Sequence, residues 1–287
     1  MTNYSQSMRD ALELVYTRNQ EKIAELNEKM SSAQIAKLKK AYEPMRDKKI
    51  SMDNAKKLTA IMNKFGDDKD IRSSADWGTF RGEQFDYIVH LAALAGVRPS
   101  FDQPDLYYDV NVNGTARMLE FALADGLCNC PRILYASSSN AYEWHGNPYA
   151  TTKMMNEIQC LNHKALGMRF HTIWPGRDDM LFKKLQRGDV TYINNQHYRD
   201  FVHVDDVLQA IDIIMDKWLD IEEKVLDIGT GHATPVSEVA RVMGYEGKYV
   251  DENPSGERVH TKANIEPLLA LGYTPKWNIL DYENSPS

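Results

Sequence analysis

Tyr149 and Lys153 stand four residues apart in the run Tyr149-Ala-Thr-Thr-Lys153, a spacing that puts both side chains on one face of a helix. An ammonium beside a phenol favours the phenolate. It brings the hydroxyl down from its usual value of about 10 and makes it a base for an alcohol proton. Ser138, in Ser137-Ser138-Ser139 after an apolar run, offers a hydroxyl for the same substrate oxygen, and ligands of open α/β sheets bind at the carboxyl ends of strands. Together the three suit proton removal from a sugar-like hydroxyl. Spacing alone proves little: with 15 tyrosines in the chain and Lys at about 6% of typical positions, about one such pair arises by chance.

The elements that must position these residues begin near Asp67. Four short apolar runs, Phe85 to Ala93, Ile133 to Ser137, Met168 to Ile173 and Val225 to Ile228, predict buried parallel strands. An amphipathic helix through Val110, Val112, Met118, Leu119 and Phe121 is expected between the first two, and another beginning near Tyr149 between the next two. Strand and helix in alternation imply a doubly wound α/β sheet. Residues 1–66 differ. They hold no glycine before Gly66, and Met8, Leu12, Val15, Ile23, Leu26 and Met30 recur at helical spacing, which predicts two or three helices and no strand. We therefore divide the chain into a helical segment, 1–66, and an incomplete Rossmann-like domain, 67–287.

The 287 residues, 43% hydrophobic and 26% charged, suffice for one large domain or two modest ones with ordinary cores. The net charge of −7 is split: the segment 1–66 is basic and the remainder acidic. Acids interleave with the lysines, so a solvated helical surface is expected there and no nucleic-acid arm. No run of 18 apolar residues and no basic-then-apolar leader occur, from which we expect a cytoplasmic protein with no membrane span. Cys128, Cys130 and Cys160 have no second pair at metal-site spacing, and we assign them no metal role.

In order along the chain come Phe85-Asp-Tyr-Ile-Val-His-Leu-Ala-Ala-Leu-Ala-Gly-Val-Arg98, Asn111-Val-Asn-Gly-Thr115, Tyr135-Ala-Ser-Ser-Ser139, Asn147-Pro-Tyr-Ala-Thr-Thr-Lys153 and Arg199-Asp-Phe-Val-His-Val-Asp-Asp206. As an ordered set these resemble the extended short-chain dehydrogenase/reductase family, and within it the UDP-glucuronate 4-epimerases and related UDP-sugar epimerases. The resemblance runs from about Asp67 to Asp281. It implies NAD as cofactor and a nucleotide sugar, such as UDP-glucuronate, as substrate. Ser138, Tyr149 and Lys153 would be catalytic. Asp70 and Ile71 would flank the adenine, Leu91, Ala92 and Ala93 would line the cofactor, and Asn111 would brace the active-site strand. Lys153 would also hold the nicotinamide ribose. On the substrate side Arg199 would meet the diphosphate, with Thr172 and Arg177 in the glucuronate-type pattern and Arg177 facing the sugar carboxylate. Gly229-Thr-Gly231, Ala263-Asn-Ile265 and Leu271-Gly-Tyr273 fit the C-terminal substrate-side elements, so substrate-binding elements are expected mainly in 172–200 and 229–287. Family habit implies a homodimer. Dehydratases and decarboxylases of the family place an acid just after the strand-end Ser or Thr; Ser139 and Asn140 stand there instead.

The chain departs from that pattern at its beginning. A dinucleotide site opens with a strand and a glycine-rich turn whose bare amides receive the pyrophosphate, and a segment with no glycine before Gly66 cannot supply one. Only 11 positions separate Ser138 from Tyr149, about half the family's loop, and Trp174-Pro175-Gly176 shortens another. Pro254 sits where a second diphosphate arginine is usual, with Arg258 near enough to deputise. Three readings stay open: an epimerase whose cofactor site is completed by the helical segment or a partner chain, an epimerase fold without turnover that binds a partner, and a nucleic-acid binder through the basic segment.

Overall fold

A computed structural model describes residues 70–80, 85–123, 132–177, 179–251 and 257–285. The helices expected in 1–66, the boundary after 66, Cys128, Cys130 and Pro254 lie outside the described residues. The described residues form two compact units: those from 70 to 94 with those within 105–134 and 154–165, and those within 95–104, 135–153 and 166–285.

The strands of the described residues are β1 (Tyr87–His90), β2 (Arg132–Ser138), β3 (Ala165–Phe170), β4 (Thr172–Trp174), β5 (Tyr192–Asn194), β6 (Tyr198–His203), β7 (Val225–Ile228), β8 (Ala233–Pro235) and β9 (Lys248–Val250). One sheet has the order β1-β2-β3-β7, a second β4-β6-β8, and a third β5-β9. The four apolar runs all carry strands, with one correction. Met168 to Ile173 is two strands: β3 pairs in parallel with β7, from Gly167 opposite Val225 to Phe170 opposite Ile228, and β4 pairs in parallel with β6. His171 makes the break, its amide still donating to the Ile228 carbonyl at 3.0 Å. A one-residue handover between sheets leaves no mark on apolar periodicity.

In the first unit β1 buries Tyr87, Ile88 and His90. The helix expected through Val110 to Phe121 is also broken, into Pro104–Tyr108, a π-helical turn Asp109–Asn113, and Gly114–Leu123. Such a turn inserts a residue and re-aims the side chains within it; here it carries Asn111. Gly114 opens the last segment because a Cβ there would come within 2.6 Å of the Ile71 Cδ1. The Trp77 indole N–H donates to the Ile71 carbonyl at 2.7 Å, and Trp77 packs on Phe121 at 5.1 Å between ring centroids. Burial of these aromatics fixes where the 70–73 turn lies.

In the second unit Trp174, Phe182, Ile193, Phe201, Val239 and Ile279 belong to one apolar cluster. Two buried carboxylates tie the C-terminal segments to β6 and the helix Val204–Asp216 that follows it. Asp200 accepts the Thr230 amide at 2.7 Å, the Thr230 hydroxyl at 2.8 Å, the Gly231 amide at 2.8 Å and the Ala263 amide at 3.0 Å. Gly231, at φ +75, adopts the left-handed conformation that turns these amides inward, which glycine alone takes without strain. Asp206 accepts the Lys276 and Trp277 amides at 2.9 and 3.1 Å. The substrate-side motifs of the sequence thus converge on one buried acid, with the Tyr273 hydroxyl donating to the Gly229 carbonyl at 2.9 Å.

Candidate active site

Ser138 ends β2 and is buried; its hydroxyl accepts from the Asn140 amide at 3.2 Å, capping the 3₁₀ segment Ser139–Gly146. The helix Pro148–Cys160 follows. Pro148 suits its first position because the missing N–H has no helical partner there, and the Asn147 side chain accepts the Ala150 amide at 2.8 Å. This start fixes the phase of the helix, so that Tyr149, half-buried, and Lys153 share a face.

Lys153 joins the site together. Its Nζ donates to the Ala136 carbonyl, two residues before Ser138, at 2.9 Å, and lies 5.9 Å from the centre of the Tyr149 ring. The side chain is 3% exposed, and burial brings its pKa down to about 8. A cation so placed pulls the phenol toward ionisation. Burial also has a cost for the fold. A lysine whose pKa falls from 10.5 to about 8 binds fewer protons folded than unfolded between those values, so stability rises with pH across that window and the penalty is complete below it. Lys153→Met, which keeps the bulk without the charge, is therefore expected to stabilise the chain at pH 7 by roughly 1–3 kcal/mol. The gain should fade as pH approaches 10.5; urea titrations at pH 7 and pH 10 would show a constant or absent gain if this account is wrong.

Two arginines of the second unit have contrasting surroundings. Arg199, on β6, donates to the carbonyls of Tyr198 at 2.8 Å and Val259 at 3.2 Å and lies 3.5 Å from the His197 Nδ1. Burial lowers its pKa to about 10, with Glu257 and Glu143 acting against that and Arg258 with it. Arg258 donates to the Ser139 carbonyl at 2.6 Å and to Glu143 at 3.0 Å. It supports the segment after Ser138 while holding an in-chain carboxylate. Arg177 is exposed and forked by Asp179 at 2.9 and 3.0 Å. Thr172 opens β4 opposite Phe201, half-buried.

The residues expected on the cofactor side lie in the first unit. Asp70 accepts the Arg72 amide and Nε, both at 2.9 Å, and this pairing holds its carboxyl below the usual range. Arg72 also reaches Asp109 at 2.6 Å, tying the Asp70-Ile71 turn to the π-helical turn. Leu91 and Ala92 are exposed and Ala93 half-buried after β1. Asn111 grips that loop from both sides, its Oδ1 accepting the Leu94 amide at 2.8 Å and its Nδ2 donating to the Leu94 carbonyl at 3.0 Å. The contact observed is thus with the loop after β1. Small, exposed residues on a backbone pinned in this way suit a flat ring system such as a dinucleotide's.

Residues 26–173, just over half the chain, match the family described as GDP-mannose 4,6 dehydratase. The chain belongs to that family. The match begins at residue 26, inside the segment that composition sets apart. Protein CapI of Staphylococcus aureus is 28% identical over 71% of this chain and 75% of its own length. UDP-glucuronate 4-epimerase 6 of Arabidopsis thaliana is 29% identical over 67% of this chain, which spans about half, 52%, of that relative. The solved structure of MoeE5 in complex with UDP-glucose and NAD superposes with a TM-score of 0.63 at 28% identity, covering 74% of this chain and 81% of that one. These matches place the chain among the extended short-chain dehydrogenase/reductases, with a Rossmann-like α/β fold.

Within that family frame the sequence reading missed a second cluster. The Tyr142 hydroxyl lies 3.0 Å from both carboxylate oxygens of Asp227, which also accepts the Asn264 amide at 2.8 Å. The Arg169 guanidinium lies 4.3 Å from the Tyr142 ring centre. Burial raises the Asp227 carboxyl, but His171, the Asn264 amide and Tyr142 outweigh it and hold the group below its usual range. The only hint in the sequence was an acid inside the apolar run Val225-Leu-Asp-Ile228, which in a strand buried on both faces calls for a partner. Among the described residues no helix is long and apolar enough to cross a membrane.

Proposed function

We propose that the chain is an NAD-dependent epimerase that inverts C4 of a UDP-sugar, with UDP-glucuronate as the substrate. The observation that carries this reading is Lys153, buried between the Ala136 carbonyl and the Tyr149 ring. NAD, when bound, supplies the oxidising and reducing capacity at C4. The chain's own residues handle the proton: Tyr149 takes it from the C4 hydroxyl, Ser138 hydrogen-bonds that oxygen, and Lys153 keeps the phenolate accessible at working pH. Asp70, Ile71, Leu91, Ala92, Ala93 and Asn111 are the cofactor-side residues, with Lys153 at the ribose. Arg199 takes the diphosphate, a task suited to a guanidinium with donors to spare. Arg177 and Thr172 meet the sugar, and a uronate must displace Asp179 from Arg177 to be read there. The likeness to the plant UDP-glucuronate 4-epimerases supports the substrate, and the absence of an acid at Ser139 and Asn140 favours epimerisation over dehydration.

A second reading, an epimerase fold that binds its ligands without turnover, is favoured by the lack of any glycine before Gly66. Losing several charge-assisted hydrogen bonds of about 1.5–3 kcal/mol each weakens cofactor binding by orders of magnitude. One experiment separates the two. Purified protein is incubated with UDP-glucuronate, with and without added NAD, and the C4 epimer is sought by chromatography. NAD-dependent epimer formation is the expected result; calorimetric silence toward millimolar NAD together with no epimer would refute the enzyme reading.

A further inference from the structure

Three arginines of the second unit each hold a carboxylate of the same chain: Arg98 with Glu257 at 2.8 Å, Arg177 with Asp179 at 2.9 Å and Arg258 with Glu143 at 3.0 Å. Arg199 differs. Its hydrogen bonds go to two carbonyls and a histidine ring, none of which offsets a full charge. Two of those carboxylates, Glu257 and Glu143, nevertheless act on it through space, as does the like charge of Arg258. Arg258 thus holds its own carboxylate, while Arg199 is balanced by acids bonded to other arginines.

The two members of the Arg258–Glu143 pair are not equally fixed. The Arg258 side chain is 13% exposed, anchored at the Ser139 carbonyl and set 5.7 Å from the centre of the Tyr142 ring, whose hydroxyl Asp227 holds. Glu143 is 53% exposed and sits at the kink of the 3₁₀ segment, with non-helical backbone of φ −117 and ψ 51. Among the described residues its carboxylate hydrogen-bonds Arg258 alone. An ion pair with one exposed partner is weakly held on that side, because water competes for the Glu143 carboxylate. A phosphate drawn to Arg258 is opposed by Glu143, a like charge that already occupies one of its donors.

We propose that Glu143 is a built-in counter-ion of Arg199 and Arg258 that competes with the diphosphate of the nucleotide sugar, so that ligand binding requires this carboxylate to leave. The inference rests on the nucleotide-sugar reading of Arg199 given above. It makes Glu143 a determinant of affinity that the reaction chemistry does not use.

The test is calorimetric titration of the full chain and of Glu143→Gln and Glu143→Ala with UDP and, separately, with inorganic pyrophosphate, thermal melts confirming that the variants fold. Glutamine keeps an acceptor for Arg258 Nε and removes only the charge. Both variants are expected to bind both anions about five- to tenfold more tightly at about 0.05 M salt, with the gain shrinking to less than about twofold near 0.5 M as screening replaces the lost charge. Unchanged or weaker binding, or a gain indifferent to salt, overturns the proposal. The outcomes also separate it from the enzyme reading. UDP binding without any Glu143 effect removes the counter-ion and leaves the epimerase standing. Tightened pyrophosphate binding in a protein that cannot epimerise UDP-glucuronate upholds the counter-ion and removes the epimerase; no anion binding by any of the three proteins removes both.

Discussion

Tyr149→Phe is expected to lower the rate of UDP-glucuronate epimerisation by about 10²–10⁴-fold, the usual range for loss of a positioned acid–base group, while leaving the fold and UDP affinity unchanged. The substitution removes one oxygen from a half-buried ring at the start of the helix Pro148–Cys160. The position of Lys153 is set by its bond to the Ala136 carbonyl, which the substitution leaves in place. The loss should therefore fall on kcat, since the phenolate matters while the proton moves and contributes little to holding the ground state. Initial rates at saturating substrate, with UDP binding measured alongside, decide the matter. A variant within about threefold of the wild-type rate would show that another group is the base. Equal losses in rate and in melting temperature would show instead that Tyr149 serves the fold.

Asp200→Ala is expected to destabilise the chain by about 3–6 kcal/mol, because it strands one buried and two part-buried backbone amides at about 1–2 kcal/mol each. The acid is 0% exposed, and its carboxylate accepts from four donors: the Thr230 amide and hydroxyl, and the amides of Gly231 and Ala263. The total stability of a domain is about 5–15 kcal/mol, so this one side chain carries a sizeable share of it. Asp200→Asn should be less damaging than Ala but still harmful, since its NH₂ group faces donors where an acceptor is needed. Urea unfolding of both variants measures this. A loss below about 1 kcal/mol for Asp200→Ala would mean that water or a backbone shift satisfies the three amides. The variant also carries a functional signature. Asp200 adjoins Arg199 on β6, and loosening of the 229–231 turn should weaken UDP binding before the chain unfolds.

Much of the fold was legible in the residues. The apolar runs around Ile88, Leu134 and Leu226 read as strands because burial on both faces demands continuous hydrophobicity, and β1, β2 and β7 lie on them. The helix that presents Tyr149 and Lys153 was legible from the spacing of its own motif. What escaped were interruptions of one residue. His171 divides β3 from β4, and the π-helical turn at Asp109–Asn113 divides a helix that periodicity runs straight through. Neither costs an apolar position, so neither disturbs the pattern from which elements are read. Strands β5, β8 and β9, of three residues each, are likewise too short for alternation to mark them as strands.

The site divides along the same physical line. Residue type and order along the chain determined the family and the chemistry available to it: a phenol with an ammonium one helical turn away, a strand-end hydroxyl, and arginines suited to anions. These depend on local covalent spacing, which a linear sequence states directly. Only the tertiary structure decided how each charge is balanced. It buried Lys153 against the Ala136 carbonyl, enclosed Asp200 in three amides drawn from two later segments, set Tyr142 on Asp227, 85 residues away, and gave Arg258 to Glu143 while leaving Arg199 to neutral partners. Electrostatic environment is a property of distance and dielectric, and both are set by contacts between residues remote in sequence. The reactive groups could therefore be named from the chain alone, while their protonation and their counter-ions required the fold.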